Sequence, residues 1–296
     1  MSSILCIGDA MVDVIVELGE SINIGSDTKS KITMIGGGAA ANTACWLGSS
    51  GHDVTFVGKV GADAAGEQFI ADLDLHHVHH SNIKASEETT GIVVVLVDDK
   101  GERTMFPDSG ANSTLTSLDL PSLAGKDGVF LSGYSLYNPA LTDEIRTMMA
   151  KVKAAKIPLV FDPASVGPMR NFGREKVLAI LKDVDCVILN RDEARFLSGH
   201  DDITLAISEL QKFAASVVVK MGSDGATGIS TDHHIISVPS VATSVIDTTG
   251  AGDAFAAGFL PRWLATKDLR GAMIEGNRLA GECVGILGAR PRVIPR

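Results

Sequence analysis

The chain has 296 residues, of which 45% are hydrophobic and 21% are charged. This balance is typical of a folded globular protein and excludes disordered, collagen-like and disulfide-stapled classes. Asp and Glu total 36 against 26 Lys and Arg, a formal charge of −10. Nucleic-acid binders need a dense basic face, so we expect no nucleic-acid partner. An acidic chain can still bind phosphate locally, because helix N-termini and single lysines form such sites.

The cysteines and the apolar runs indicate the cellular compartment of the protein. The four cysteines are far apart and form no C-x-x-C pair, which favours free buried thiols in a reducing compartment. The longest clear apolar stretch, Ile92 to Val97, is much shorter than a membrane span. No basic segment followed by an apolar run opens the sequence. We therefore expect a cytoplasmic protein with no membrane partner.

Short β-branched runs alternate with helix-length stretches along most of the chain. The predicted strands are Ile4 to Ile7, Val54 to Val57, Val129 to Leu131, Pro158 to Phe161, Cys186 to Leu189 and Val217 to Val219. The predicted helices between several of them are Ala39 to Leu47, Glu67 to Leu75, Leu141 to Ala155 and Ile203 to Phe213. Apolar strands separated by helices are typical of a parallel sheet covered on both faces. We predict an α/β fold with a doubly wound, mostly parallel sheet flanked by helices.

Two regions interrupt this alternation, at about residues 11–36 and 84–112. In the second, two strand-like runs flank Asp98-Asp-Lys-Gly101, which is a hairpin signal. Neither region contains a convincing crossover helix. We predict one domain over residues 1–296, in which these inserted β segments pair as a small separate sheet. Over the C-terminal edge of the main sheet, such a sheet would act as a lid.

The segment from Val245 to Phe259 predicts a strand end, a glycine turn and a helix. Small residues at Gly250, Ala251 and Gly252 allow consecutive backbone N–H groups to point outward at the helix N-terminus. That arrangement favours an anion such as a transferring phosphoryl group. Asp253 follows in the first helical turn. It is either a helix-start carboxylate or a base that takes a proton from an attacking hydroxyl, and the local sequence leaves both alternatives open.

A second glycine cluster, Gly36-Gly-Gly38, opens the predicted helix that carries Asn42. Its spacing matches neither the P-loop nor the dinucleotide fingerprint. Glycine clusters also describe tight turns and hinges, so alone they specify no ligand. The amide of Asn42 on an apolar helix is more informative, because a buried amide needs hydrogen-bond partners.

Together the two segments resemble the paired signatures of the ribokinase-like, PfkB-type family of carbohydrate and nucleoside kinases. These signatures are Gly-Gly-x-x-x-Asn-x-Ala and Asp-Thr-x-Gly-Ala-Gly-Asp, and the second is matched at every fixed position from Asp247 to Asp253. Further landmarks follow the family's order along essentially the whole chain: Gly8 with Asp13, Asn190-Arg-Asp-Glu193, and Lys220-Met-Gly-Ser-Asp-Gly225. The resemblance implies a ribokinase-like fold, ATP as phosphoryl donor and Mg²⁺ as cofactor.

The resemblance also implies roles for individual residues. Asp253 is similar to the family's catalytic base, and the amides of Gly250, Ala251 and Gly252 resemble its anion hole. The positions that resemble substrate contacts are Asp13, Gly37, Gly38, Asn42, Arg103 and Asn112. The positions that resemble nucleotide contacts are Asn190, Glu193, Lys220, Gly222, Ser223, Gly225 and Asn277. Glu193 resembles a residue that organises Mg²⁺ through water, and the loop with Asp247 and Thr249 resembles a monovalent-cation site.

For four of these positions the residues alone favour a simpler interpretation. Asn190 and Glu193 have the spacing of a helix cap. Arg103 fits an exposed hairpin arginine, and Asn277 fits a surface helix residue. Arg292 stands where members with a potassium site carry a small polar residue. A guanidinium there would either repel the ion or replace it, so K⁺ dependence stays open.

The acceptor pocket departs from the ribose-specific members at Ala39, Met11 and Tyr134, where they carry Lys, Asn and Glu. A pocket without those polar contacts would leave ribose hydroxyls unpaired, which argues against ribose itself. We predict an ATP-dependent kinase that phosphorylates the primary hydroxyl of a sugar. The alternatives are a nucleoside kinase of the adenosine, inosine or pseudouridine type and a non-catalytic sugar- or nucleotide-binding regulator. We expect a homodimer formed through the lids, because an open sheet needs covering.

Overall fold

The structure is a computed structural model that describes residues 1–81, 83–241 and 244–292. Its strands are Ser3–Ile7 (β1), Met11–Leu18 (β2), Ser30–Gly37 (β3), Asp53–Val57 (β4), Lys59–Gly61 (β5), Lys84–Ser86 (β6), Gly91–Val97 (β7), Arg103–Asp108 (β8), Gly128–Ser132 (β9), Leu159–Asp162 (β10), Cys186–Asn190 (β11), Ser216–Lys220 (β12), Ala226–Ile229 (β13) and Ile235–Val238 (β14). Its helices are Ala39–Ser49 (α1), Ala64–Leu75 (α2), Gly133–Tyr137 (α3), Thr142–Ala154 (α4), Val166–Phe172 (α5), Arg174–Leu181 (α6), Arg191–Ser198 (α7), Ile203–Leu210 (α8), Ala251–Thr266 (α9) and Leu269–Val284 (α10).

The main sheet has eight strands in the order β14-β13-β12-β11-β10-β9-β1-β4. The strands from β12 to β4 are parallel, and β13 and β14 add an antiparallel edge. The parallel strands are buried along nearly their whole length, as a sheet covered on both faces requires. The predicted doubly wound, mostly parallel sheet is therefore confirmed.

Successive residues of one strand belong to two different cores. In β1, Ile4 and Cys6 pack into a cluster with α1, α9 and α10, whereas Leu5 and Ile7 pack into a cluster with α4, α6 and α8. This alternation is the period of two that a strand imposes on its side chains. Because the parallel strands all end at one edge of the sheet, the segments that follow β9, β10, β11 and β12 lie close together there.

The second sheet has the order β3-β2-β7-β8. β2 pairs antiparallel with β3 and parallel with β7, and β7 and β8 form the predicted hairpin. These four strands come from the two predicted insertions. The predicted start of the second insertion, residue 84, is wrong: β6 pairs with β5 in a separate two-stranded sheet. The side chain of Asp63 then accepts hydrogen bonds from Thr90, which ties the chain to the core before the lid strand begins at Gly91.

Two further properties concern the described residues as a whole. None of the helices they form has both the length and the apolar character needed to cross a membrane. Cys6, Cys45, Cys186 and Cys283 are free and buried, as the sequence predicted.

Candidate active site

The predicted anion hole lies at the start of α9. The cap residue Gly250 has φ +76°, and a Cβ there would lie 2.6 Å from Ala289, so only glycine fits this turn. No side chain caps the helix start, which leaves its dipole and first-turn N–H groups facing the cleft. The Ala251 amide makes one long bond of 3.3 Å, to the Thr248 carbonyl. This helix start is suited to binding phosphate.

Asp253 connects the two sequence signatures. The amide nitrogen of Asn42 donates to its Oδ2 at 2.9 Å, although 211 positions separate the two residues. Burial raises the pKa of Asp253 to about 7; the Asn42 hydrogen bond opposes this shift and the charge of Asp162 adds to it. A base whose pKa lies near the working pH is suited to taking a proton from an alcohol.

The glycines of the N-terminal signature allow a lid strand to approach the core. A Cβ on Gly37 would lie 2.2 Å from the Asp13 carboxylate, and one on Gly38, at φ +89°, would lie 2.1 Å from the Asp9 carbonyl. Asp13 thus lies against the signature loop, and burial raises its pKa to about 6 against the opposing charge of Arg290. The structure brings Asp13, Gly37 and Asn42 together, as the substrate prediction requires.

A group of charged side chains lies beside the anion hole. The Lys220 ammonium forms a 2.7 Å ion pair with Asp162. A Cβ on Gly252 would lie 3.0 Å from Lys220 Nζ, so this cation faces the helix start. Burial lowers the pKa of Lys220, but Asp162 and Glu193 raise it above its ordinary value, which keeps the group charged. No sequence motif contains Asp162; its one signal is a carboxylate that ends an apolar strand.

Asn190 and Glu193 form a complete capping box at the start of α7. Asn190 Oδ1 accepts from the Glu193 N–H at 2.9 Å, and Glu193 Oε2 accepts from the Asn190 N–H at 2.7 Å. The helix-cap interpretation is therefore confirmed, and the cap holds Glu193 buried at the same edge as Asp162. Burial, with Asp162 adding to it, raises the pKa of Glu193 to about 7.

The donor set fits Mg²⁺ that arrives with a nucleotide. Within the described ranges no group of three or more His, Cys, Asp or Glu is placed to hold a metal. Mg²⁺ characteristically keeps several waters and uses one or two carboxylates plus substrate phosphates. Glu193 would supply such a carboxylate, beside Asp162 and Lys220.

The predicted nucleotide loop lies farther along this edge. Residues Gly222–Asp224 form a 3₁₀ turn, and Gly225 has φ +92° with a Cβ position only 2.1 Å from the Val238 carbonyl. The amide nitrogen of Asn277 donates to the Pro239 carbonyl at 2.8 Å. Asn277 is buried, so its interpretation as a surface helix residue is wrong. The Ser223 carbonyl accepts from Ser240 at 2.6 Å, which joins the 3₁₀ turn to the segment that Asn277 contacts.

Arg103 reaches from lid strand β8 to the predicted cation loop. Its Nη2 donates to Asp247 Oδ1 at 2.9 Å, and its Nη1 donates to the Thr249 hydroxyl. Asp247 also accepts from the Thr249 and Gly288 amides, both at 3.0 Å. Burial raises the pKa of Asp247, but these hydrogen bonds hold it well below its ordinary value. Arg103 is an exposed hairpin arginine, as the residues alone indicated, but it also pairs with this loop. Arg292, expected at the loop, is exposed too.

Two further side chains at the base of the lid are engaged by the protein itself. Asn112 donates to the carbonyls of Ala10 and Ser109 and accepts from the Ala10 N–H, so it fixes the return from lid to core. Arg290, which no motif indicated, is 8% exposed and contacts both Asn42 and the Gly37 carbonyl. Its only sequence signal is an arginine in a glycine-rich C-terminal segment.

Comparison with known proteins agrees with this architecture. The model of the pfkB family carbohydrate kinases matches residues 1–295. An uncharacterized sugar kinase of Archaeoglobus fulgidus is 32% identical over 246 residues, covering 82% of this chain and 96% of that one. The adenosine kinase of Sinorhizobium meliloti superposes with a TM-score of 0.88 at 27% identity, covering 98% and 96%. An Escherichia coli protein assigned as a ribokinase II, solved with ATP and Mg²⁺, has a TM-score of 0.84 at 22% identity, covering 98% and 94%.

The family match and the related sugar kinases identify an ATP-dependent carbohydrate kinase. The chain belongs to the PfkB family of carbohydrate kinases.

Proposed function

We propose that this protein transfers the γ-phosphoryl group of ATP to the primary hydroxyl of a sugar, with Asp253 as the general base. The observation that carries the proposal is the position of this carboxylate, in the first turn of an uncapped helix and hydrogen-bonded to Asn42. A non-catalytic regulator would need the anion site but not a base beside it.

The reaction follows from this placement. Asp253 takes the proton of the acceptor hydroxyl, whose oxygen bonds to the γ-phosphorus while the bond to the bridging oxygen of ADP breaks. The amides of Gly250, Ala251 and Gly252 and the ammonium of Lys220 face the charge that develops on the transferred group. Glu193 would hold Mg²⁺ through water, and the ion would supply positive charge that neutralises the phosphates. Asn190 keeps Glu193 in place through the capping box.

The nucleotide is proposed to lie along the turn that contains Gly222, Ser223 and Gly225. Positive φ at Gly222 and Gly225 lets the backbone approach a ligand closely. Asn277 and the Pro239 carbonyl would meet the adenine, because they join the far side of this turn to α10.

The acceptor is proposed to lie between Asp13 and Asn42, on a floor made by Gly37 and Gly38. Carboxylate and amide groups are suited to gripping adjacent hydroxyls. A nucleoside is the second candidate, because Tyr134 presents a ring that is 41% exposed. Such a ring can stack on a base. Substrate contacts by Arg103 and Asn112 stay predictions.

We propose that Arg103 takes the place of a monovalent cation at the loop of Asp247 and Thr249. A guanidinium already donates to both side chains, and a K⁺ ion beside it would be repelled. The residues present therefore do not fit K⁺ while the lid strand is in this position. The ion pair between Arg103 and Asp247 would then couple lid closure to the shape of the loop that precedes the anion hole.

We also propose a homodimer formed through the outer lid face. Strand register places Met34, Val14, Val94 and Phe106 in one row, on the face opposite Asp13. Phe106 is 54% exposed, and Met34 and Ile32 on the same face are exposed too. An apolar sheet face of this kind is covered well by a second copy of itself. The free buried thiols support a cytoplasmic location.

The test is a coupled ADP-release assay with ATP and Mg²⁺ against a panel of ribose, fructose, 2-keto-3-deoxygluconate, phosphosugars and nucleosides that include pseudouridine. Turnover with a free sugar would support the leading proposal. Turnover with nucleosides alone would replace it by the second candidate. Silence across the panel from protein that binds ATP would support the regulator.

A further inference from the structure

A partly buried line of polar contacts leads from α2 to the general base. Asp72 Oδ2 accepts from Arg290 Nη1, and Arg290 Nε donates to Asn42 Oδ1 at 3.0 Å. Asn42 Nδ2 then donates to Asp253 Oδ2 at 2.9 Å. The two ends lie on helices far apart in sequence, and the proposed chemistry uses only Asn42 and Asp253 of this line.

The hydrogen bonds of this line can run in only one direction. A guanidinium has only donors and an ionised carboxylate has only acceptors, whereas an amide side chain has one oxygen and one NH₂ group. With Arg290 on one side, the oxygen of Asn42 must face the arginine, so the NH₂ group must face Asp253. If the amide were flipped, its NH₂ group would face the donors of the guanidinium and its oxygen would face the acceptors of the carboxylate.

Arg290 is itself held on several sides. Its Nη2 donates to the Gly37 carbonyl at 2.9 Å, and its guanidinium lies 5.1 Å from the centre of the Phe69 ring. A Cβ on Gly36 would lie 2.1 Å from Nη1, so the glycine that precedes the signature makes room for this side chain. Asp72 also lies 3.5 Å from the buried ring of His76. A planar guanidinium held in this way has little freedom to release the amide.

We infer that Arg290 is a positioning residue for the general base, acting through Asn42: it turns the amide so that its NH₂ group holds the Asp253 carboxylate ionised and oriented. This inference rests on the proposed function. Asp253 is also faced by Asp13 from the lid and by Asp162 and Lys220 from the main sheet. Arg290 could therefore act through space as well, and a mutant cycle separates the two routes.

The cycle compares Arg290→Met, Asn42→Ala and the double variant, using the panel acceptor that gives the highest rate with the wild type. We expect Arg290→Met to lower kcat about tenfold to hundredfold, the range for losing one hydrogen bond to a charged group. The KM for ATP should change by less than about twofold, because the nucleotide loop is untouched. The double variant should be no slower than Asn42→Ala. Additive losses would overturn the inference.

The pH profile gives a readout that a merely structural role would not move. Loss of a hydrogen bond to the ionised form raises the pKa of a carboxylic acid. The acid limb of kcat/KM should therefore move to higher pH by about one unit in Arg290→Met and equally in Asn42→Ala. Arg262→Met removes an exposed arginine that pairs with Asp268, and it should leave the limb in place. An unshifted limb in Arg290→Met would contradict the inference.

Arg290→Met leaves the partly buried Asp72 without its arginine, which can destabilise the fold. The pair Asp72→Asn with Arg290→Met removes both charges and serves as the second variant. It should melt cooperatively and show the kcat and pH profile of Arg290→Met, whereas a wild-type profile would overturn the inference. If the wild type turns over no acceptor, the proposed function fails and the inference with it; if it does and the cycle is additive, the inference alone fails.

Discussion

Replacing Arg103 with Met tests the contact between the lid and the core. The variant removes a 2.9 Å ion pair with Asp247 and a hydrogen bond to Thr249, and it keeps an unbranched apolar stem in the lid strand. Asp247 retains the amides of Thr249 and Gly288 and the Thr249 hydroxyl as donors. The loop should therefore keep its shape while the lid loses its tether.

The size of the effect follows from exposure. A hydrogen bond to a charged group contributes about 1.5–3 kcal/mol when well buried. The Arg103 side chain is 37% exposed, so solvent screening reduces this to about 1 kcal/mol. That free energy corresponds to about a fivefold change in the equilibrium between open and closed lid. We expect the acceptor KM to rise about fivefold, with kcat changed by less than about twofold, because saturating acceptor restores closure.

The assay measures ADP release at varied acceptor concentration, in potassium chloride and in choline chloride at equal ionic strength. Wild-type rates should differ by less than about twofold between the two salts, since the guanidinium occupies the loop. In Arg103→Met, K⁺ can approach the carboxylate and should recover part of the lost affinity for acceptor. Lys100→Met removes an exposed charge from the turn of the same lid hairpin and should leave both quantities unchanged.

Two results would refute this reasoning. One is a wild-type enzyme that requires K⁺ for activity, because the structure then would not represent the working loop. The other is an unchanged acceptor KM in Arg103→Met, which would mean that the lid closes without this tether.

The remaining predictions concern the base, the anion hole and the lid face. Because burial raises the pKa of Asp253 to about 7, kcat/KM should fall about tenfold per pH unit below that value and level off above it. Initial rates between about pH 5.5 and 8.5 measure this profile. A flat profile would contradict the assignment of Asp253 as the base. Gly250→Ala places a Cβ 2.6 Å from Ala289, so kcat should fall about a hundredfold. The control Gly101→Ala, also at positive φ but in open surroundings, should keep the wild-type rate. Equal rates in the two variants would contradict the role of the Gly250 turn as an anion hole. Phe106→Glu should give a monomer in sedimentation velocity, and a persistent dimer would exclude the outer lid face as the interface.

The parts of the fold that local patterns determine could be predicted from the sequence. The strands from Ile4 to Ile7 and from Cys186 to Leu189 are apolar without alternation, and that pattern specifies a sheet buried on both faces. The lid hairpin followed from two β-branched runs around a polar turn with Gly101. The short pairing of β5 with β6 was missed, because three-residue strands carry too little pattern to distinguish them from loop.

The residues of the candidate site also fall into two groups, those that lie in sequence motifs and those that only tertiary packing brings together. Asp253 and Asn42 lie in motifs of fixed spacing, and the structure joins them by one hydrogen bond. The contacts of Asp162, Arg103 and Arg290 could not be predicted, because their partners are far away in sequence and only the packing of lid and sheet brings them together. A single arginine in a loop or hairpin looks the same in a sequence whether it faces solvent or a buried carboxylate.

Asp253→Asn tests whether Asp253 takes the proton of the acceptor hydroxyl. The measurement pairs single-turnover phosphoryl transfer from ATP to the preferred acceptor with the ATP dissociation constant from calorimetry. We expect the transfer rate to fall about a thousandfold, within the range for a general base, while ATP affinity stays within about twofold. A transfer rate within about tenfold of the wild type, with ATP still bound, would contradict it.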